Sequence, residues 1–170
     1  MTHRIRAGTR ADVPSLPAIE RAAAIRFAPF GLAEAMGTVV TSLEDLNAGA
    51  DAGSLFVAEL DASLVGFALS SLLDGGLHLE ELDVLPAAGR RGIGTALVDA
   101  VVDLARRRRL PYVTLSTLAS IPWNAPWYAR LGFRALAATE LTPALAALRE
   151  HERARGLPTA DRVWMRRTVS

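Results

Sequence analysis

The residues best suited to chemistry form a glycine-rich turn between a predicted strand and a predicted helix. The turn is Gly89-Arg90-Arg91-Gly92-Ile93-Gly94, and an amphipathic stretch follows it directly. The first turn of a helix has unpaired N–H groups and a partial positive charge, so it attracts anions. Glycines let the backbone approach phosphate oxygens, and the two arginines offer charge-assisted donors. The segment predicts a phosphate site, although a glycine-rich connection that binds nothing would show the same bare pattern.

Two common phosphate motifs do not fit this turn. A Walker loop needs Gly-Lys-Ser/Thr after its glycines, and the chain contains no lysine. A dinucleotide fingerprint needs G-x-G-x-x-G, whereas the spacing here is G-x-x-G-x-G. It also needs an acidic residue at the end of a following strand about 20 residues on, and none is present. The predicted phosphate site therefore belongs to neither class.

A second block, from Asn124 to Phe133, has the sequence NAPWYARLGF. With the segment from Val84 to Leu97 it resembles the two motifs of the GNAT superfamily of acyl-CoA-dependent N-acetyltransferases. The first motif is typically V-x-P-x-x-R/Q-x-x-G-x-G/A, and the second has a Tyr-x-x-x-Gly-Phe core, which is intact here. The family's Arg/Gln position falls on Gly89, with the arginine displaced to Arg90. The order of the predicted elements also matches the family along the whole chain.

The resemblance implies a GNAT fold, a mixed α/β domain in which helices flank a mostly antiparallel sheet of about seven strands. It also implies transfer of an acetyl group from acetyl-CoA, a co-substrate, to an amine by direct attack in a ternary complex. In that scheme the backbone of Val84 pairs with the pantetheine arm, Asn124 binds the cofactor nearby, and Tyr128 protonates the departing thiolate. The predicted cofactor-binding set is Leu82, Val84, Gly89, Arg90, Arg91, Gly92, Ile93, Gly94, Thr95 and Asn124.

Both side chains also have structural interpretations. Tyr128 could pack on its helix, and Asn124 could cap one. A non-catalytic module that senses acyl-CoA is the alternative function, and it would need neither a base nor an acid.

The strand before the turn supplies the candidate base. Strict alternation predicts one face with His78, Glu80, Leu82 and Val84, and an opposite face with Glu81 and Asp83. The run resembles the corresponding strand of the spermidine/spermine acetyltransferase branch, in which the first carboxylate is the proposed base. Glu80 is therefore the predicted base, with His78 in reserve. The alternative interpretation is that Glu80 lies on a solvent-exposed face of the strand and has no catalytic role.

The acceptor is predicted to lie between the first two helices, the loop at residues 120–123 and the insertion at residues 142–156. Phe27, Phe30, Glu81 and Trp123 are the predicted acceptor-binding residues. Neither the identity of the amine nor the length of the acyl group follows from the sequence.

The elements that must position these residues follow from periodicity and turn residues. Strands are predicted at residues 3–7, 54–60, 64–73, 77–85, 111–118, 133–137 and 161–168. Helices are predicted from Val13 to Phe27, within 33–46, and at 92–109, 124–131 and 143–156, with a loop at 47–53. This order predicts a single domain over residues 1–170.

Composition excludes several other classes. The chain is 51% hydrophobic and 22% charged with a net charge of +1, a globular balance without a strong field for nucleic acid or membranes. The absence of cysteine excludes thiolate metal sites, and the three histidines lack metal-ligand spacing, so no metal is predicted. The first ten residues lack an apolar signal segment, which favours a cytoplasmic protein. The predicted partner is a small-molecule or peptide amine, and a homodimer is left open.

Overall fold

The computed structural model describes residues 2–158 and 160–170. Met1 and Thr159, which the predicted domain includes, lie outside the described residues. One mixed sheet has the strand order β1-β2-β3-β4-β5-β7-β6, and every neighbouring pair is antiparallel except β4 and β5. The strands are β1 (Arg4–Ala7), β2 (Leu55–Leu60), β3 (Ser63–Leu73), β4 (Gly76–Val84), β5 (Tyr112–Leu118), β6 (Arg134–Ala135) and β7 (Arg162–Thr168). The predicted fold class is confirmed.

Helices cover both faces of this sheet. They are α1 (Leu16–Ala23), α2 (Ala33–Thr38), α3 (Leu43–Asp51), α4 (Ile93–Arg107), α5 (Ala125–Arg130) and α6 (Pro143–Ala154). Within the described ranges, no helix is both long enough and apolar enough to cross a membrane.

The predicted first helix is divided into three pieces. A 3-10 turn at Val13–Ser15 precedes α1, and a second 3-10 segment, Ala24–Phe30, follows it. Pro29 lies inside the second segment, where the missing N–H prevents a regular α-helical hydrogen bond. The chain then turns at Gly31 toward α2.

The predicted loop at residues 47–53 is wrong, because α3 continues to Asp51. The cause is a cap inside the region predicted as one helix. The hydroxyl of Ser42 accepts a hydrogen bond from the backbone N–H of Asp45 at 3.0 Å, which starts a separate helix at Leu43. The region from residue 33 to residue 51 therefore holds two short helices.

Two apolar layers hold the helices against the sheet. On one face, Ile93, Leu97 and Val101 of α4 are buried against the strands. On the other face, Leu16 of α1 and Leu46 of α3 pack against the sheet. Burying one such side chain contributes about 1.5–3 kcal/mol, so these layers fix the sheet from both sides.

Two irregularities of β4 shape the space between the strands. The parallel pairing of β4 with β5 joins Leu77 to Val113 and continues to Leu79 and Leu115, with no later pair among the described residues. One step further, the pairing of β4 with β3 shifts by one residue, because Leu69 faces Glu81 while Ser70 faces Leu79. Glu80 is thus the extra residue of a β-bulge.

The bulge corrects the predicted faces of β4. Strict alternation would place Glu80 with Val84 and both apart from Glu81. Because the bulge adds one residue, His78, Glu81 and Asp83 share a face, and Leu82 and Val84 share the opposite one. The predicted grouping of His78 with Val84 is therefore wrong, whereas Glu81 and Asp83 lie opposite Val84 as predicted, and Glu80 is the unpaired residue between the two registers.

Candidate active site

A cavity of about 800 Å³ opens where β4 and β5 stop pairing. Residues 78–84 of β4 and 115–118 of β5 line it from the two strands. The start of α4, the start of α5, α1 and the C-terminal part of α6 complete its walls. One cavity therefore connects the glycine-rich turn to the acidic part of β4.

The glycine-rich turn lies at the N-terminus of α4. Gly92 is the cap residue of this 15-residue helix and has a φ of 78°, a left-handed conformation that favours glycine. Arg90 also has a positive φ, of 61°. This backbone path points the first turn of α4 toward the cavity, which Gly92, Ile93, Gly94 and Thr95 all line. The geometry fits an anion site made of backbone N–H groups.

The start of α5 forms the next part of the wall. Asn124 precedes the helix, but its side chain makes no capping hydrogen bond, and it lines the cavity. Tyr128 is 8% exposed and packs edge-on against Phe133 at 5.7 Å between ring centroids. Burial, with a smaller effect from Glu81 and Asp83, raises the pKa of the Tyr128 phenol above its ordinary value. The phenol is therefore protonated at neutral pH and can donate a proton.

Three carboxylates from two elements meet inside the cavity. Glu20 of α1 and the β4 residues Glu81 and Asp83 each place a carboxylate oxygen within 4.8 Å of the others. We call these residues the acidic trio. Glu20 is 5% exposed, and the backbone N–H of Thr41 donates to both of its oxygens at 2.9 and 3.0 Å. Glu20 is thus held in place and buried, while Glu81 and Asp83 are half-buried in the cavity wall.

Burial and mutual repulsion determine the protonation of the trio. Burial, with the nearby charge of Glu20, raises the pKa of Glu81 to about 8. Burial also raises the pKa of Asp83 well above its ordinary value, with further effects from Glu81 and Glu20. The pKa of Glu20 is raised by burial as well. Close carboxylates with little access to water do not all ionise at neutral pH, so the trio keeps at least one proton unless a cation binds or the pH rises.

His78 has a different environment from the trio. Its ring lies 5.8 Å from the Trp164 ring, and Nδ1 lies 2.9 Å from the hydroxyl of Thr114. Burial, with a smaller effect from Arg162, lowers the pKa of His78 to about 4. His78 is thus neutral at physiological pH, and its one described hydrogen bond is to a strand residue.

Aromatic side chains from separate segments form the outer wall. The Trp123 ring lies 6.1 Å from that of Phe27 and 5.4 Å from that of Phe30. Arg26 lies over the same indole at 5.5 Å. These contacts join the second 3-10 segment to the loop before α5.

The predicted insertion, now α6, closes the cavity from the β7 side. Ser116 of β5 donates to Glu152 of α6 at 2.7 Å, and Arg162 of β7 donates to Ser116 at 2.8 Å. Arg155, just after α6, donates to the carbonyl of Val40 at 3.4 Å. The insertion therefore bridges the sheet and the segment that follows α2.

Most of the predicted site residues line the cavity. Those that do are Phe27, Glu80, Glu81, Leu82, Val84, Gly89, Arg90, Gly92, Ile93, Gly94, Thr95, Trp123, Asn124 and Tyr128. Phe30 packs edge-on against Trp123 but does not line the cavity itself. Arg91 is exposed and does not line the cavity either. The structure adds Glu20, Asp83, Glu152 and Arg162. A charged residue on the apolar face of α1 was the one available sequence signal for Glu20.

The sheet opens between β4 and β5, and the N-terminus of α4 lies at one end of the opening. A family model described as the acetyltransferase (GNAT) family matches residues 21–133. The chain belongs to the GNAT acetyltransferase family, and it is an acetyl-CoA-dependent N-acetyltransferase.

Solved structures share this fold. N-acetylglutamate synthase from Neisseria gonorrhoeae, in complex with coenzyme A and N-acetyl-glutamate, superposes with a TM-score of 0.73 at 21% identity, covering 100% of this chain and 36% of that one. The chain thus spans about a third of that synthase. The PaiA N-acetyltransferase from Thermoplasma acidophilum, in complex with coenzyme A, gives 0.73 at 15% identity and covers 99% of both chains. The ribosomal-protein-S18-alanine N-acetyltransferase from Escherichia coli gives 0.65 at 19%, covering 99% and 95%.

Proposed function

We propose that this enzyme transfers the acetyl group directly from acetyl-CoA to an amine, with both substrates bound in one ternary complex. The supporting observation is the single cavity, which brings the first turn of α4, the Tyr128 phenol and the acidic trio together. An anion site, a proton donor and a proton acceptor are the groups that aminolysis of a thioester needs. The proposed domain is the whole chain, since the sheet runs from β1 to β7.

The cofactor end of the cavity is assigned to the turn. The N–H groups at the start of α4 would hold the pyrophosphate, with Arg90 as an added cation. Arg91 is the weakest member of the predicted cofactor set, because it does not line the cavity. Leu82, Val84 and Asn124 line the same cavity, and we assign them to the pantetheine arm.

We assign the base to Glu81. Its pKa of about 8 is close to the working pH, where a general base is most effective. It also lies on the face of β4 that meets α1, where Glu20 completes the trio. Glu80, the base predicted from the sequence, is an exposed bulge residue that still lines the cavity, and it is the first alternative.

The protons balance as follows. A protonated amine gives one proton to Glu81, and the free amine attacks the thioester carbon. The C–N bond forms, the C–S bond breaks, and the nitrogen loses a second proton. The thiolate takes a proton from Tyr128, which is reprotonated from the surroundings. The net products are an acetamide, free CoA and one released proton.

The decisive experiment is initial-rate kinetics of CoA release with both substrates varied. Intersecting patterns in double-reciprocal plots are expected for a ternary complex. Parallel patterns would contradict direct transfer, because they indicate a covalent intermediate. Tight binding of acetyl-CoA without turnover on any amine would instead favour the sensing module. A cytoplasmic location remains a prediction.

A further inference from the structure

We propose that the acceptor is a cationic primary amine with no carboxylate beside its amino group, and that the acidic trio binds its ammonium. This inference rests on the proposed transfer reaction and names the substrate class of the same cavity. Three observations carry it: the absence of an ion-pair partner for the trio among the described residues, the contacts already made by nearby arginines, and the aromatic wall.

The trio has no cationic partner of its own. None of the ion pairs among residues 2–158 and 160–170 includes Glu20, Glu81 or Asp83. In addition, the carboxyl groups of Glu81 and Asp83 are close enough to share a proton, and the Oδ2 atom of Asp83 is buried without another hydrogen-bond partner. Buried polar atoms are normally satisfied, and an ammonium can donate to this oxygen in place of the proton that the two acids share. An ammonium group has three N–H donors, one for each carboxylate.

Three of the arginines that line the cavity already have partners. Arg162, whose side chain is 8% exposed, donates to Ser116 and to the carbonyl of Pro158, and lies 3.5 Å from Glu152. Arg155 donates to the carbonyl of Val40. Arg26 lies over the Trp123 ring at the exposed edge. An acceptor carboxylate near the trio would meet three acidic groups, and Arg162, the most buried of these arginines, already donates to Ser116 and Pro158 and lies beside Glu152.

The wall beside the trio suits the rest of such a molecule. Phe27 and Trp123 line the cavity with apolar ring surface. An alkyl or aryl stem can pack there while its ammonium reaches the acids. Aromatic faces also attract cations, so a second amino group can be accommodated at the entrance.

The test compares amines that differ only by a carboxylate. Cadaverine is paired with lysine, and tyramine with tyrosine. The affinity of each for the CoA-saturated protein is measured by calorimetry, and kcat/KM is measured with acetyl-CoA. We expect the decarboxylated member of each pair to bind at least about tenfold more tightly, because its partner brings a carboxylate close to the acidic trio. A tenfold difference is about the size of one hydrogen bond to a charged group. Equal affinity, a preference for the amino acids, or no binding by any of the four would overturn the proposal.

Glu20→Gln tests the trio itself. It removes one charge from a residue that touches neither Tyr128 nor the glycine-rich turn in the described contacts. We expect KM for the cationic amine to rise about tenfold, while the affinity for acetyl-CoA stays unchanged. Glu34→Gln, an exposed change of the same charge on α2, is the control. A rise of similar size in both variants would contradict the assignment. If Glu20→Gln does not fold, the paired amines still decide the question in the unaltered enzyme.

The experiments also distinguish failure of the proposed transfer reaction from failure of the proposed substrate class. Failure to bind acetyl-CoA would refute the transfer reaction, whereas normal binding with a preference for anionic amines would refute only the substrate class. A divalent ion is the other occupant that three carboxylates could hold. Inhibition by EDTA, or competition between calcium and cadaverine, would assign the trio to a metal and overturn the proposal.

Discussion

The two ends of the cavity are built from different parts of the chain. At the cofactor end, one continuous segment from Val84 to Thr95 supplies a strand end, a turn and the first turn of α4. At the acceptor end, Glu20, Glu81, Trp123 and Glu152 come from four separated segments. The first end depends on backbone N–H groups and glycine, whereas the second depends on side chains.

This difference separates the binding of a co-substrate common to the family from the binding of a particular acceptor. Binding a pyrophosphate needs a backbone shape that any family member can keep, because the ligand is the same. Binding an acceptor needs side chains that can change one at a time. The predictions below test whether the two ends behave independently, from the largest expected effect to the smallest.

The largest effect is expected from Tyr128→Phe, at the boundary between the two ends. The change removes the proposed proton donor and keeps the ring that packs on Phe133. We expect kcat to fall by about 10²- to 10⁴-fold, while acetyl-CoA affinity is retained. Tyr112→Phe is the matched control, since Tyr112 donates to the carbonyl of Asp74 outside the main cavity. Wild-type turnover in Tyr128→Phe would return this residue to a packing role.

The next effect concerns the base. We expect kcat/KM to increase with pH up to about 8, the pKa of Glu81, because the carboxylate is active only when ionised. Glu81→Gln should lower turnover at neutral pH by about 10²-fold and remove that limb of the pH profile. Glu80→Gln is the comparison. If Glu80→Gln gives the large loss and Glu81→Gln stays near wild type, the base predicted from simple alternation is right after all.

A tenfold effect is expected at the cofactor end. Gly92→Val places a branched side chain at a φ of 78° and should displace the backbone from the pyrophosphate. Acetyl-CoA affinity should fall by at least about 1.4 kcal/mol, or tenfold, as measured by calorimetry. Gly75→Val is the control, since Gly75 has a φ of 79° with open space around it and lies outside the cavity. An equal loss of acetyl-CoA affinity in Gly92→Val and Gly75→Val would show that backbone strain, and not contact with the pyrophosphate, causes the loss.

The smallest effect is on stability. The pKa of Glu81 is raised from 4.5 to about 8 in the folded state, so the fold binds more protons than the unfolded chain between these pH values. The melting temperature should therefore fall as pH rises through this window and level off above it. Each kcal/mol corresponds to about 2–4 °C for a chain of this size. Glu81→Gln should flatten the slope, and an unchanged slope would show that other groups cause it.

The sequence predicted the strand, turn and helix at the proposed cofactor end well, because their signal is local. The strand, the glycine spacing and the helix follow one another within a dozen or so residues, and Thr142 and Pro143 likewise marked the start of α6. The acceptor end was predicted less well. One added residue in β4 left Glu80 unpaired and moved His78 to the face of Glu81 and Asp83, and alternation contains no information about a bulge. Glu20 joined the trio through the packing of α1 over β4, a contact between residues 61 positions apart.

The unpaired end of β4 has a consequence for amide hydrogen exchange. Past Leu79 this strand keeps β3 on one side and has no described strand partner on the side that faces β5. Amides directed into that opening can exchange with solvent in the free enzyme, while their neighbours bonded to β3 are protected. An acyl-CoA arm lying along this edge would slow their exchange. The strand edge proposed to bind the co-substrate would therefore report its occupancy, residue by residue, without any added probe.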